Sequence, residues 1–337
     1  MRGASVVKIV KNGMAYAICA GIMFFTSSCV PTYPKEKLPE MIKEVFRIEY
    51  SMNVDVSVEG STLGIYYPMQ GLMDENFGIS KDSWDKISNL ILVASRVVLS
   101  TDADIKFYCV ITQDEKLPEI QVIIIKYVDD VKLGMYQSIS RDESFKRTLF
   151  SVNLTPQAKK ERTVEKIFDK LGLEEKARET VLDEFFRSSP TKLSDIGYWR
   201  DHFYLKDITL GEFLAAEIAN RIKLDFREGK DLSAMFVYKF SEGYYVSGKE
   251  KKYFLVQFNI EDSKNASLKD MRKRKATEIV EIANEVLSGY KFQDFNYLEL
   301  DDQLASVRMR VEKEKVYNFD KRKMKIEQIV EAPANYF

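Results

Sequence analysis

Apolar positions along the chain switch between a helical period and strict alternation. Met41, Ile42, Val45, Phe46 and Ile48 fall at helical spacing and predict a short amphipathic helix to about Tyr50. Val54, Val56 and Val58 then alternate with Asp55 and Ser57, the mark of a half-buried strand. Glu59-Gly60-Ser61 reads as a turn, and a second strand runs from Thr62 to Tyr67, where Pro68 ends it. Trp84, Ile87, Ile91, Ala94 and Val98 recur at spacings of three and four, widened by Leu90 and Val97. They give the clearest helix in the chain, capped by Ser80 and running to about Leu99. Asp104 to Gln113 and Glu119 to Val128 follow as two apolar strands around Pro118.

From Thr209 the same order returns. Thr209 and Glu212 form a capping-box pair ahead of Phe213, Leu214, Ile218, Ile222 and Phe226, a helix to about Arg227. Ala234 to Phe240 reads as a strand, Glu242-Gly243 as a turn and Tyr253 to Ile260 as the next strand. Leu268, Met271, Ile279, Ala283 and Leu287 make a long helix ended by Gly289. Phe295 to Leu300 and Ala305 to Val311 pair around Asp301-Asp302. The end, 320–337, is a charged tail or a last strand through Met324, Ile326 and Ile329.

The middle differs. Val164, Ile167, Phe168 and Leu171, closed by Gly172, and Ala177, Val181, Leu182, Phe185 and Phe186 predict two short helices packed as a hairpin. The expected fold is therefore α+β, with helices on antiparallel sheets in two layers. Two αββαββ units, 40–141 and 209–319, flank a helical connector at 142–208. Glu59-Gly60 and Glu242-Gly243 fall at matching places. Internal duplication explains this, and so does chance recurrence of αββ units.

The first 28 residues have another character. Arg2, Lys8 and Lys11 precede an uncharged run, Met14 to Phe25, far short of the ~20 apolar residues that span a bilayer. Small Thr26, Ser27 and Ser28 then lead to Cys29. This resembles the signal peptide and lipobox of bacterial lipoproteins, with Thr26 standing where Leu is usual. The resemblance implies cleavage before Cys29 and attachment of diacylglycerol and a fatty acid such as palmitate to that cysteine. The membrane is then a partner through the lipid, and residues 29–39, with Pro31, Pro34 and Pro39, are a tether. Val30 after the cysteine fits sorting to the outer membrane, facing the periplasm.

Composition narrows the chemistry. Lys and Arg number 51 against 52 Asp and Glu, and loss of the basic leader leaves the rest mildly acidic, which argues against nucleic acid as a partner. Hydrophobic residues at 45% and charged ones at 31% are globular proportions. With Cys19 in the leader and Cys29 lipidated, only Cys109 remains, so no intramolecular disulfide forms. Cys109 lies in an apolar strand and reads as a buried structural thiol. His202 is the sole histidine, so no imidazole metal site is expected, and no phosphate loop or dinucleotide fingerprint implies a cofactor. Tyr198, Trp199, His202 and Tyr204 form an aromatic stretch that either contacts a ligand or partner or serves the connector's structure. The pairs Asp102/Asp104, Asp129-Asp130 and Asp301-Asp302 read as turn chemistry. Arg272 to Lys275 reads as a solvated helix face.

The expected function is a non-enzymatic binding, scaffold or accessory assembly module of the cell envelope, working with an envelope protein partner. The alternative is a periplasmic enzyme or small-ligand-binding protein with a site between the two units near His202.

Overall fold

Residues 33–76, 78–185, 190–263, 268–319 and 330–332 are described by the computed structural model. The leader, the Thr26-Ser27-Ser28-Cys29 motif, residues 30–32 of the tether and the strand expected through Met324 and Ile329 lie outside the described residues. The rest of the expected tether is part of the folded body, with Tyr33 buried against Thr101 and a helical turn at Lys35–Lys37 leading into the first helix.

Helix α1 (Leu38–Tyr50) starts on Pro39 and stops at Ser51, whose left-handed backbone (φ 55°) ends the helical ladder. Strands β1 (Asp55–Glu59) and β2 (Thr62–Met69) turn at Gly60, also left-handed at φ 58°. Helix α2 (Lys81–Val98) begins where the Ser80 hydroxyl accepts the Ser83 N–H. It carries the chain back across the sheet, so β3 (Phe107–Asp114) pairs parallel to β2. Strand β4 (Ile120–Tyr127) returns antiparallel, helices α3 (Val128–Met135) and α4 (Arg141–Lys146) follow, and β5 (Leu149–Leu154) closes the sheet in the order β1-β2-β3-β4-β5.

Helices α5 (Pro156–Leu171) and α6 (Glu175–Phe185) form the expected hairpin, broken at left-handed Gly172. A small ribbon of β6 (Gly197–Trp199) and β7 (His202–Tyr204) leads into the second unit. There the order is α7 (Leu210–Glu228), α8 (Lys230–Met235), β8 (Phe236–Ser247), β9 (Lys252–Asp262), α9 (Leu268–Gly289), β10 (Tyr297–Asp302), β11 (Val307–Glu312), α10 (Lys313–Tyr317) and β12 (Val330–Ala332). The sheet runs β8-β9-β10-β11-β12, again with one parallel pair, β9 with β10. Both units thus share strand order, the place of the parallel pair and a helix directly after the fourth strand.

Apolar side chains form two main cores, one on each face of the first sheet. Leu63, Ile65, Tyr108, Val110, Val122 and Ile124 pack with α1 and α2. The alternate positions, Phe107, Cys109, Ile111, Ile123 and Ile125, join Phe213, Leu214 and Ile218 of α7 and Phe254, Val256 and Phe258 of β9. Phe107 and Phe213 meet with ring centroids 5.4 Å apart. Helix α7 is therefore buried between two sheets, and the fold is α+β in stacked layers: α1 and α2, first sheet, α7 and α9, second sheet.

Several expectations need correction. The two-layer units share α7 and make one stack. Strand β5 extends the first sheet past residue 141, because Leu149 to Leu154 is an alternating run hidden between charged helical stretches. Glu242-Gly243 is no turn: β8 runs through it, and the chain reverses at Gly248, whose N–H bonds the Lys251 carbonyl. Each sheet has a parallel central pair, which the long crossover helix imposes. Trp84 stays 40% exposed, and the buried stripe of α2 is rotated onto Ser83, Ile87, Leu90, Ala94 and Val97. Among the described residues, no helix is long and apolar enough to cross a membrane.

Candidate functional site

A concavity lies between the units. It has a volume of about 340 Å³ and is lined by β4, β5, α7, β8 and residues 191–194. Ile123, Ile125 and Leu149 supply apolar surface from the first sheet, and Ala216, Ala219, Asn220 and Lys223 form one face of α7. Ser241 to Tyr245 of β8 close the opposite wall. Two glycines set this geometry. A Cβ on Gly243 would stand 1.8 Å from the Ala215 carbonyl oxygen, and one on Gly211 would stand 2.3 Å from the Tyr245 ring. Helix α7 presses on β8 at both points, where no side chain fits. Strands β5 and β8 are the outermost strands of their sheets, and both line this cleft.

The polar groups of the cleft are linked across it. Lys192 donates to the Tyr244 hydroxyl at 3.4 Å and lies 5.0 Å from its ring centroid, while that hydroxyl donates to Glu242. Burial raises the Tyr244 pKa, with the Glu242 carboxylate adding to it, and the Tyr244 contact raises that of Lys192. Lys206 ties the Thr191 carbonyl to Glu212, the residue that also completes the capping box of α7. Ser241 donates to the Ala219 carbonyl at 2.8 Å, a side-chain bond from β8 to the helix. This arrangement offers apolar floor, two carboxylates, two ammonium groups and tyrosine hydroxyls. Such a lining suits recognition by shape and hydrogen bonding.

Another face of α7 carries buried charge. Glu217 accepts from Arg221 at 2.8 Å, and Arg221 also reaches Glu143 of α4 at 2.7 Å. Arg147 bonds Glu143 at 2.7 Å and Asp130 of α3 at 2.9 Å, and it stacks 4.7 Å from the centroid of Tyr290, just past α9. The Tyr290 hydroxyl donates to Asp130 at 2.5 Å. This network joins the first unit to the second. Burial pushes Glu217 up to about 7 against the pull of Arg221. Burial also raises Asp130, whereas for Glu143 the hydrogen bonds from Arg147 and Arg221 outweigh burial and lower it. When Glu217 takes up a proton, Asp130 and Glu143 are left balancing Arg147 and Arg221, which lessens the charge that burial must desolvate.

The residues singled out from sequence fall elsewhere. Tyr198 is buried, stacked on Tyr66 with centroids 3.6 Å apart, and its hydroxyl donates to Asp55. Trp199 donates its indole N–H to Glu161, and Tyr204 packs with Phe168 and Leu182. His202 is exposed at the tip of the ribbon. None of the four lines the cleft. The aromatic stretch pins the connector to the first sheet, where Asp207 also accepts from the Ser61 N–H and hydroxyl. Cys109 is fully buried, with its thiol pKa raised by burial.

The carboxylate pairs hold backbone and cations. Asp102 accepts from Lys35 N–H, Asp129 pairs with Lys132, and Asp302 accepts from Leu304 and Ala305 N–H. In the basic run of α9, Lys275 departs from the expected solvated face. It is 3% exposed, bonds the Ile260 carbonyl and pairs with Asp262. Of the cleft residues, the sequence marks Glu212 through its capping pair with Thr209, Glu242-Gly243 through their turn-like composition and Tyr244-Tyr245 as an aromatic pair that would make a binding edge if exposed; nothing in it brings them together. No known protein family, curated protein or solved structure matches the chain.

Proposed function

We propose that the chain is a lipid-anchored envelope protein that binds, without transforming it, an extended polypeptide segment of an envelope partner in the cleft between its units. The observation that carries this reading is the pair of sheet-edge strands, β5 and β8, lining one cleft. An outer strand presents a row of backbone N–H and C=O groups, and extended segments dock by adding a strand to such an edge. Exposed Phe240 on β8 and Val152 and Leu154 on β5 supply apolar contact beside those edges. The likeness of the first 29 residues to lipoprotein signals supports the anchor at Cys29.

A photoreactive amino acid at Asn220 tests the binding claim in growing cells. The expected result is a covalent adduct to a polypeptide, lost when Ala216→Trp fills the cleft in a chain that still folds. Adducts unaffected by that substitution, or none at all, would contradict it.

A further inference from the structure

The end of the body from which the tether leaves carries an apolar surface. The described chain starts at Tyr33, which bridges to Thr101 and bonds the Ser100 carbonyl, while Lys35 N–H bonds Asp102. These contacts fix the chain's entry at the rim of the first sheet where β2 and β3 begin. Ser61 at that rim accepts from Lys106 and Phe107, and Lys106 in turn accepts from Val128 N–H, the first residue of α3. The excursion through α3 and α4 returns beside the same rim, because Leu149 pairs with Ile125 near the end of β4.

This excursion holds three of the more exposed large apolar side chains among the described residues. Met135 is 66% exposed, Tyr136 78% and Phe145 64%. The two helices that carry them lie side by side, since a Cβ on Gly134 would touch the Ser144 hydroxyl at 3.5 Å. Lys132, Arg141 and Lys146 stand among them in the sequence, together with Asp129, Asp142 and Glu143, and Lys132 pairs with Asp129. Exposed apolar and aromatic tips with long cationic side chains beside them can enter a bilayer interface while the charged heads stay in water.

We infer that Met135, Tyr136 and Phe145 form the face that rests in the lipid leaflet beside the anchor. This rests on reading Cys29 as the lipid attachment site. Tyr33 is the fourth residue after Cys29, so the fixed rim stands within about 14 Å of the lipid even at full extension of that link. So short a link holds the α3–α4 surface against the membrane, and its apolar side chains are covered by acyl chains and headgroups. The helical hairpin α5–α6 leaves from Leu154, which pairs with Ile120 at the opposite rim, and so faces away from the leaflet.

The test uses the full acylated chain reconstituted into vesicles of phosphatidylethanolamine and phosphatidylglycerol. An environment-sensitive dye is placed by Tyr136→Cys or Phe145→Cys, with Ile167→Cys on α5 as the distal control. Cys109 is fully buried and takes no dye. Blue-shifted emission and quenching by spin-labelled lipid at 136 and 145, but not at 167, is the expected result. Changing Met135, Tyr136 and Phe145 together to Ser in the unacylated chain should weaken its vesicle partition by about tenfold or more. Absence of quenching at 136 and 145 while Cys29 carries lipid overturns the inference and leaves the anchor intact. If Cys29 carries no lipid, the anchor reading fails. The same dyes on a chain from residue 29 with Cys29→Ser, so that position 136 or 145 holds the one reactive thiol, then decide the surface, with quenching supporting it and no quenching overturning it. Protection of the patch by a protein in place of lipid also overturns it.

Discussion

Replacing Glu217 by Gln should remove a specific pH dependence of stability. Glu217 is 0% exposed, and burial pushes its pKa up to about 7. In an unfolded chain it titrates near the ordinary value of about 4.3. The raised pKa means that the native state holds the proton more tightly. Between those two values the folded protein binds more protons than the unfolded one, so stability falls as pH rises through the window. At about 1.4 kcal/mol per pH unit, the contribution is about 4 kcal/mol, fully present below about pH 4 and lost above about pH 7. Glutamine keeps the volume and the acceptor for Arg221 and cannot ionise. Urea unfolding at a series of pH values, followed by tryptophan fluorescence, compares the two proteins. The variant should gain on the parent by roughly 4 kcal/mol between pH 4 and 8. Parallel curves across that range would refute the argument that a protonated Glu217 balances the buried charges.

Three further outcomes follow from packing. Gly243→Ala puts a methyl group against the Ala215 carbonyl and should cost about 1–3 kcal/mol in thermal or urea unfolding, because α7 must lift from β8. A neutral result would mean that the contact is slack. Tyr198→Ala should cost roughly 3–5 kcal/mol, as for other buried aromatic truncations, while Tyr198→Phe, losing only the bond to Asp55, should cost about 1 kcal/mol. Equal effects would assign the role to the hydroxyl and not to the stacked ring. The Cys109 thiol should resist maleimide in the native protein and react fully in denaturant, read by intact mass; native labelling would place it outside the core.

Much of the fold is legible in the chain because local chemistry and burial agree. Ser80 and the Thr209/Glu212 pair start their helices as read, and Gly60 makes its turn. Gly243 shows why the rest was hidden. A glycine in a strand signals either a turn or a close neighbour, and the neighbour here is α7, nearly thirty residues earlier in sequence. Periodicity also marks which positions are apolar without saying what covers them. The alternate faces of β3 and β4 both bury, one under α1 and α2 and the other under α7. Strands buried on both sides lose the simple alternation that would have exposed the shared layer. The cleft was invisible for the same reason: Leu149, Asn220, Lys223 and Glu242 come together only when the units stack. His202 drew notice by its rarity, a property of composition that says nothing about place.

Strand addition in the cleft is the account's central claim, and amide hydrogen exchange reads it at the backbone. The chain carrying its cross-linked polypeptide is compared with the chain alone, residue by residue along β5 and β8. Strand addition predicts slowed exchange at alternate amides of one of these edges, since an added strand bonds every second residue of its neighbour. Unchanged exchange along both edges, with protection elsewhere on the surface, would contradict it.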